Sequence, residues 1–499
     1  MIIFEDVCFS YGRDKKEVDL DSLNLTIADG EIILLCGESG CGKTTVTRLI
    51  NGLIPHYYEG VLSGSVVVNG LDVRSAPLYE TAKMVGSVFQ NPRSQFFNVD
   101  TTSELVFDCE NLGLPEDEIY RRLKNTTEAF GLNSLCGRNI FKLSGGEKQK
   151  IACGSVAALY PEVMVLDEPS SNLDTAAIKE LRRVIRRWKA QGKTIVVAEH
   201  RLYYLEGLAD RVVCMKKGRI DKTYTGREFY RLPNSRLEEM GLRALSMSGL
   251  SEIKVAGLSD EKTMRLERFQ FAYPHCPPAL SIGQADVPER GVIGIIGHNG
   301  AGKSTFARSL CGLQKKDKGI VRYKGTALKS KKRLSACYMV MQDVNHQLFT
   351  ESVLDEVLLS MKQEAPERAA SILESLDLLV YKEKHPMALS GGQKQRVAVA
   401  SAIASQREII VFDEPTSGLD LRHMREVSSD IRGLSEQGKT VFVVTHDPEF
   451  ILSCCTHILH IDQGRLVGNY PLSAAGRDRM LSFFLKNSED GEGGRHHAF

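Results

Sequence analysis

The chain repeats itself, and no other feature constrains its architecture as tightly. Tyr11 in FSYG recurs as Tyr273 in FAYP, 262 residues on. Lys43 recurs as Lys303 after 260 residues, and Gln90 as Gln342 after 252. Ser144, Glu168 and His200 recur as Ser390, Glu414 and His446, each after 246. The spacing shrinks before the serine and then holds constant. Small length differences therefore lie early in each copy, and the rest is collinear. Six motifs in one order mean two copies of one domain. The first copy is expected at 1–231 and the second at 263–486. Residues 232–262, charge-balanced with several Ser and Gly, read as a linker with a short helix around Ser235–Leu245. The tail 487–499, NSEDGEGGRHHAF, reads as disordered.

Each copy carries a phosphate-binding pattern. Gly37-Glu38-Ser39-Gly40-Cys41-Gly42-Lys43-Thr44 runs into Thr45, and Gly297-His298-Asn299-Gly300-Ala301-Gly302-Lys303-Ser304 runs into Thr305. Both fit G-x-x-x-x-G-K-[ST]. Apolar runs at 31–36 and 292–296 predict a strand before each loop, and 45–51 and 305–311 predict a helix after it. Strand, glycine loop and helix start form an anion site, because backbone N–H groups converge there and the helix dipole favours phosphate. The lysines would reach the β- and γ-phosphates of a nucleotide, and the Thr44 and Ser304 hydroxyls would hold Mg²⁺. One such match in isolation is compatible with an ordinary glycine turn; two in register within a repeat are not.

Downstream, Val163–Asp167 and Ile409–Asp413 are apolar runs ending in the acid pairs Asp167-Glu168 and Asp413-Glu414. Carboxylates are costly to bury unpaired. A pair of helix caps would explain each doublet alone. Behind a phosphate loop, the first acid suits Mg²⁺ and the second suits polarising the attacking water.

Leu143-Ser144-Gly145-Gly146-Glu147-Lys148-Gln149 and Leu389-Ser390-Gly391-Gly392-Gln393-Lys394-Gln395 resemble the signature motif of the ABC ATPase superfamily. The resemblance covers nearly the whole chain outside linker and tail. It implies an α/β fold class: two P-loop NTPase domains in tandem, each with a RecA-like α/β core, an antiparallel β subdomain and an α-helical signature subdomain. It implies ATP and Mg²⁺ as cofactors. It also implies that Ser144–Gly146 and Ser390–Gly392 cap ATP held by the other domain, so that two domains of one chain close head to tail. Pairing of two chains stays open. Tyr11 and Tyr273 match the aromatic stacked on adenine. Gln90 and Gln342 match the glutamine that senses Mg²⁺ and the γ-phosphate. Asp174 and Asp420 close the loops Ser171–Asp174 and Ser417–Asp420, which match the segment crossing between domains. His200 and His446 match the histidine on the γ-phosphate, joining Glu168 and Glu414 as catalytic candidates. Asn172, Lys150 and Arg201 depart from the commoner pattern without removing a catalytic group.

Between Gln90 and Ser144 lie 53 residues, room for a small helical subdomain rather than a long coiled coil. Gln90-x₄-Gln95-Phe96-Phe97 and Gln342-x₄-Gln347-Leu348-Phe349 resemble the ATPases of energy-coupling-factor transporters. That resemblance implies import of a vitamin or transition-metal ion with two kinds of membrane partner, a coupling subunit and a substrate-binding subunit. The implied location is the cytoplasmic face of the membrane. Two alternatives stay open: the tandem ATPase of a sugar or nucleoside importer, and a soluble ABC translation factor. The first commonly has a degraded second phosphate loop, which is intact here. The second usually has a long charged linker. A helix capped by Thr101 and Glu104, and a counterpart capped by Thr350, are expected beside the glutamines. Glu104, Asp108, Asp355 and Glu356 would rim docking grooves floored by Phe96, Phe97, Phe107, Leu348, Phe349 and Val357.

Composition sets the remaining bounds. Lys plus Arg total 64 and Asp plus Glu 63, so net charge is +1, which argues against bare nucleic acid as the main partner. No apolar run approaches the ~18 residues of a membrane span. MIIFEDV lacks the charged start of a signal peptide. The 12 cysteines include no C-x-x-C pair and read as reduced, mostly buried residues of a cytosolic protein.

Overall fold

A computed structural model of the chain describes residues 1–12, 18–171, 173–246, 250, 262–274, 276–389, 391–416 and 418–489, the side chains of 486–489 excepted. Two compact units divide it, Met1–Met247 and Ser248–Phe499.

In the first unit a six-stranded sheet runs in the order Arg219–Thr225, Arg211–Lys216, Ile32–Cys36, Thr194–Ala198, Val163–Asp167, Val85–Val88. All neighbours pair in parallel except the outer Arg211–Lys216/Arg219–Thr225 hairpin. Central strands of such a sheet are covered on both faces, which is why they are continuous apolar runs. Their side chains alternate between two cores. Ile32, Leu34 and Leu166 pack with Ile178, Leu181, Ile185 and Trp188 of the helix Thr175–Ala190. Ile33, Leu35 and Val165 pack with Val46 and Leu49 of the helix Lys43–Ile50, and with Phe4 and Ile27. Phe4 and Ile27 belong to a separate antiparallel sheet, ordered Leu20–Ile27, Ile2–Tyr11, Gly60–Val68, Leu71–Asp72. A third region, the helices Thr101–Asn111, Glu116–Phe130 and Gly145–Ala158, closes on Leu105, Leu132, Leu135, Leu143 and Ile151.

The second unit repeats this plan. Its six-stranded sheet runs Cys337–Val340, Ile409–Asp413, Thr440–Val444, Gly291–Ile296, His457–Asp462, Arg465–Pro471. Its antiparallel sheet runs Pro278–Pro288, Thr263–Ala272, Ile320–Tyr323, Thr326–Leu328. The helices Val353–Leu359, Pro366–Ser375 and Gly391–Ala404 form the third region. The expected three-part α/β domain is thus present twice.

Two expected boundaries need correction. The short helix expected after 231 is present as Asn234–Glu239, and it belongs to the first unit: it buries Leu237, and Leu242 and Leu245 join it in that unit's core. Their apolar side chains outweigh the surrounding charge. At the other end, the helix Ala474–Glu489 runs past 486. The rest of the tail, residues 247–249 and 251–261 of the expected linker, and Asn172, Ser390 and Ser417 lie outside the described residues.

Candidate functional site

Both phosphate loops sit where expected. Ile32–Cys36 ends at Gly37, and Lys43–Ile50 opens after Gly42, with φ of 144° and 105°. A Cβ at Gly37 would collide with the Met215 carbonyl, and one at Gly297 with the Ile461 carbonyl, so only glycine lets the loop leave the strand. Lys43 Nζ donates to the Gly37 and Glu38 carbonyls at 2.9 and 3.0 Å. Lys303 Nζ donates to the Gly297 and His298 carbonyls at 3.0 and 2.8 Å. Each buried ammonium stands at a helix N-terminus, where an anion is favoured. The adjoining hydroxyls reach the strand-end acids: Thr44 Oγ1 donates to Asp167 and Ser304 Oγ to Asp413, both at 3.2 Å. Burial pushes the Asp167 carboxyl up to about 6, with Glu168 adding to the rise and Thr44 opposing it. Burial likewise raises Asp413, against Ser304. A desolvated carboxylate beside a hydroxyl is an oxygen set that suits a hard cation such as Mg²⁺.

The second acids face the histidines. Glu168 Oε1 lies 3.3 Å from His200 Nε2, and Glu414 Oε1 lies 3.5 Å from His446 Nε2. Gln90 and Gln342 are both exposed, and Gln90 Nε2 donates to Glu168 Oε2 at 2.7 Å. Glu168 and Glu414 hold left-handed φ of 45° and 52°. That conformation costs on the order of 1 kcal/mol or more in a non-glycine residue, and such strain gathers at functional sites.

Ser144 caps the helix Gly145–Ala158 in a reciprocal box: Glu147 N donates to Ser144 Oγ at 3.3 Å and Ser144 N to Glu147 Oε2 at 2.8 Å. Gly146 packs so near Ala177 that a Cβ would stand 2.9 Å from the alanine's own. Gly391 and Gly392 open the matching helix. Asp174 caps Thr175–Ala190 through Ala177 N, and Asp420 caps Leu421–Glu436 through His423 N. Tyr11 OH lies 3.5 Å from Thr45 Oγ1, and Tyr273 OH 3.3 Å from Thr305 Oγ1. Within each unit, tyrosine, loop and helix start, strand-end acids and histidine therefore gather at one end of the sheet.

The groove residues differ from expectation. Asp100, not Thr101, caps the helix Thr101–Asn111, accepting from Thr102 N and Ser103 N. Thr101 is buried and donates to the Leu135 carbonyl. Ser352, not Thr350, caps Val353–Leu359. Glu104 and Glu356 do not rim a groove. Glu104, 3% exposed, accepts from Phe97 N and Asn98 N at 3.1 and 2.7 Å. Glu356, also buried, accepts from Phe349 N and Thr350 N at 3.1 and 3.2 Å. Leu348 and Val357 are core residues. Only Phe97 and Phe349 stand out, at 75% and 74% exposure, Phe97 stacked on Phe107. The second glutamine of each motif is structural: Gln95 bridges Phe89 N and the Ser87 carbonyl, and Gln347 bridges Met341 N and the Met339 carbonyl. The 252-residue spacing that pairs the glutamines also pairs Glu104 with Glu356, the one signal that could have identified these clamps.

Among the described residues, no helix is long and apolar enough to cross a membrane. The ABC transporter family model matches residues 20–171 and 282–417. Two proteins of Treponema denticola, each named "Putative ABC transporter ATP-binding protein", are similar along nearly their whole length. One is 45% identical over 94% of this chain and 96% of its own. The other is 36% identical over 95% and 98%. The crystal structure of a complex of archaeal ribosomal stalk protein aP1 with the ribosome recycling factor aABCE1 aligns at TM-score 0.62 and 21% identity, over 96% of this chain and 92% of that one; this likeness is one of fold. The chain belongs to the ABC transporter family, as a tandem ABC ATPase whose domains bind ATP with Mg²⁺ and hydrolyse it.

Proposed function

We propose that the chain powers an importer of the energy-coupling-factor type, coupling ATP hydrolysis to uptake through separate membrane subunits from the cytoplasmic face. The observation that carries this is the clamped loop after each glutamine. Twice, a buried glutamate and a second glutamine brace a short loop so that one phenylalanine, Phe97 or Phe349, is held out in solvent beside Gln90 or Gln342. An exposed aromatic on a rigid loop is an anchor for a partner helix. Its place next to the glutamine ties partner movement to the nucleotide.

In this reading Lys43 and Lys303 neutralise phosphate charge, and Glu168 and Glu414 polarise the attacking water. His200 and His446 contact the γ-phosphate. Mg²⁺ is held by Thr44, Asp167 and Gln90 in one half and by Ser304, Asp413 and Gln342 in the other. Tyr11 and Tyr273 stack on adenine. Ser144–Gly146 and Asp174 complete the site begun by Lys303, and Ser390–Gly392 and Asp420 the site begun by Lys43. The membrane partners are a coupling subunit and a substrate-binding subunit. The fold-level likeness to a ribosome recycling factor favours no second reading, because it carries no site residue.

The test is Phe97→Ala with Phe349→Ala, followed by co-purification with membrane subunits and ATPase assay of the purified chain. Losing two aromatic anchors should weaken capture about tenfold or more while leaving the chain's own hydrolysis in place. Undiminished capture and transport would remove these loops as the docking sites.

A further inference from the structure

The loops that carry the two histidines are wired differently. In the first half Glu199 precedes His200 and is 2% exposed. Its Oε2 accepts from His200 N at 2.8 Å and Arg201 N at 3.3 Å. Its Oε1 accepts from Ser170 N at 3.1 Å and the Tyr204 hydroxyl at 2.9 Å. Four donors satisfy the carboxylate's lone pairs and pin the main chain of His200 to Ser170. Arg201, also buried, reaches the same segment: its Nη1 donates to the Leu173 carbonyl at 3.1 Å and the Ser170 carbonyl at 3.4 Å. Ser170 lies two residues after Glu168, and Leu173 immediately precedes Asp174.

In the second half the aligned residues are Thr445, Asp447 and Phe450. There the His446 N–H donates to Glu414 Oε2 itself, at 3.3 Å. Asp447 N donates to Thr445 Oγ1 at 3.1 Å, and Asp447 Oδ1 caps the helix Pro448–Cys454 through Phe450 N at 3.3 Å.

We propose that Glu199 and Arg201 are positioning residues for hydrolysis in the first half, holding the His200 main chain so that the Glu168 carboxylate engages Gln90 and the His200 imidazole, and tying both to the Ser170–Leu173 loop. They touch no substrate and act through His200 and Glu168. The inference rests on the catalytic roles proposed above for those two residues. A group displaced by ~1 Å can lose about a hundredfold in rate, so the effect belongs in the chemical step rather than in ATP affinity.

The experiment uses the full chain with ATP and Mg²⁺ and follows the first turnover of phosphate release. A Glu414→Gln background isolates first-half chemistry, and a Glu168→Gln background isolates the second half. Glu199→Gln turns an amide N–H₂ toward N–H donors. In the Glu414→Gln background it should slow the first turnover about tenfold or more, with the half-saturating ATP concentration held within about twofold. In the Glu168→Gln background it should change nothing. The paired replacement Glu199→Thr with Arg201→Asp installs the pattern that the second half already accommodates, and should show the same selective loss. Unchanged first turnover in both variants overturns the inference. So does equal slowing in both backgrounds with a lowered melting temperature, which marks a purely structural role. A wild-type rate in Glu168→Gln with Glu414→Gln would instead overturn the roles of the glutamates themselves.

Discussion

The two halves present the same motif side chains from different supports. In the first, Glu168 accepts from Gln90, and a separate carboxylate, Glu199, holds the histidine's main chain. In the second, Glu414 holds that main chain itself. Tyr11 receives a hydrogen bond from Arg48 at 2.8 Å, and Tyr58 packs edge-on against it; the Tyr58 loop is part of the extra length in the first copy. Around the first phosphate loop, Cys36 and Cys214 sulfurs lie 3.4 Å apart and Cys41 Sγ lies 3.7 Å from Lys43 Nζ. Ile296, His460 and Ala301 occupy those places in the second. Motif residues are fixed by the chemistry of the nucleotide. Their supports need only hold them, and many packings do that. Two intact motif sets therefore do not imply two equal rates.

The largest expected effect tests whether both halves work at all. Lys43→Ala with Lys303→Ala removes the ammonium from each loop and should cut Mg²⁺-dependent phosphate release at least about a hundredfold, since a preorganised charge-stabilising group is worth that much. Each single variant then reports its own half, and unequal residual rates would put a number on the asymmetry. Phosphate release at the wild-type rate in the double variant would end the assignment of both loops. Chelating Mg²⁺ from the wild type should abolish turnover in the same assay.

The next effect sharpens which residues share a site. Under the head-to-tail reading, Lys43 works with Ser390 and Lys303 with Ser144. Double-mutant cycles with Ser→Ala should give a Lys43–Ser390 coupling on the order of 1 kcal/mol, within the range for groups acting on one ligand, and a Lys43–Ser144 coupling near zero. The reverse order would mean that each half closes its own site.

What was legible in the sequence follows the same divide. The repeat, the sheet strands and the strand–loop–helix sites were readable because buried parallel strands are unbroken apolar runs and phosphate loops have a fixed spacing. Glu104 and Glu356 were misjudged as surface acids, because a charged residue beside apolar ones on a helix looks the same whether it rims a groove or folds back onto two backbone N–H groups. Asp100 was passed over as a cap because Thr101 and Glu104 have capping-box spacing; tertiary contact turns Thr101 to Leu135 instead. The short helix after 231 was readable, but the packing of Leu237, Leu242 and Leu245 into the first unit's core was not, because three leucines among many charges do not show what they pack against. Glu199 and Arg201 carry no motif, and only their contacts reveal a role.

The smallest predicted difference concerns the helices after Asp174 and Asp420. In the first half the residue three beyond the cap is Ala177; in the second it is His423, whose Nδ1 lies 2.8 Å from Asp420 Oδ1. That hydrogen bond raises the His423 imidazole above its usual range, with burial opposing and the Asp420 and Glu426 charges assisting. The folded state therefore binds the proton more tightly than the unfolded chain. By linkage, the contribution is fully present below the unfolded value of about 6.5 and fades as pH rises through the raised folded value. The ring is partly exposed, so the gain should stay below about 1 kcal/mol. Replacing His423 with the first half's alanine should reduce hydrogen-exchange protection in Leu421–Glu436 at pH 6 and much less at pH 9. Thr175–Ala190, which has no imidazole at that position, should respond at neither pH. A loss of equal size at both pH values would assign His423 a packing role, and the charge difference between the two caps would then have no energetic consequence.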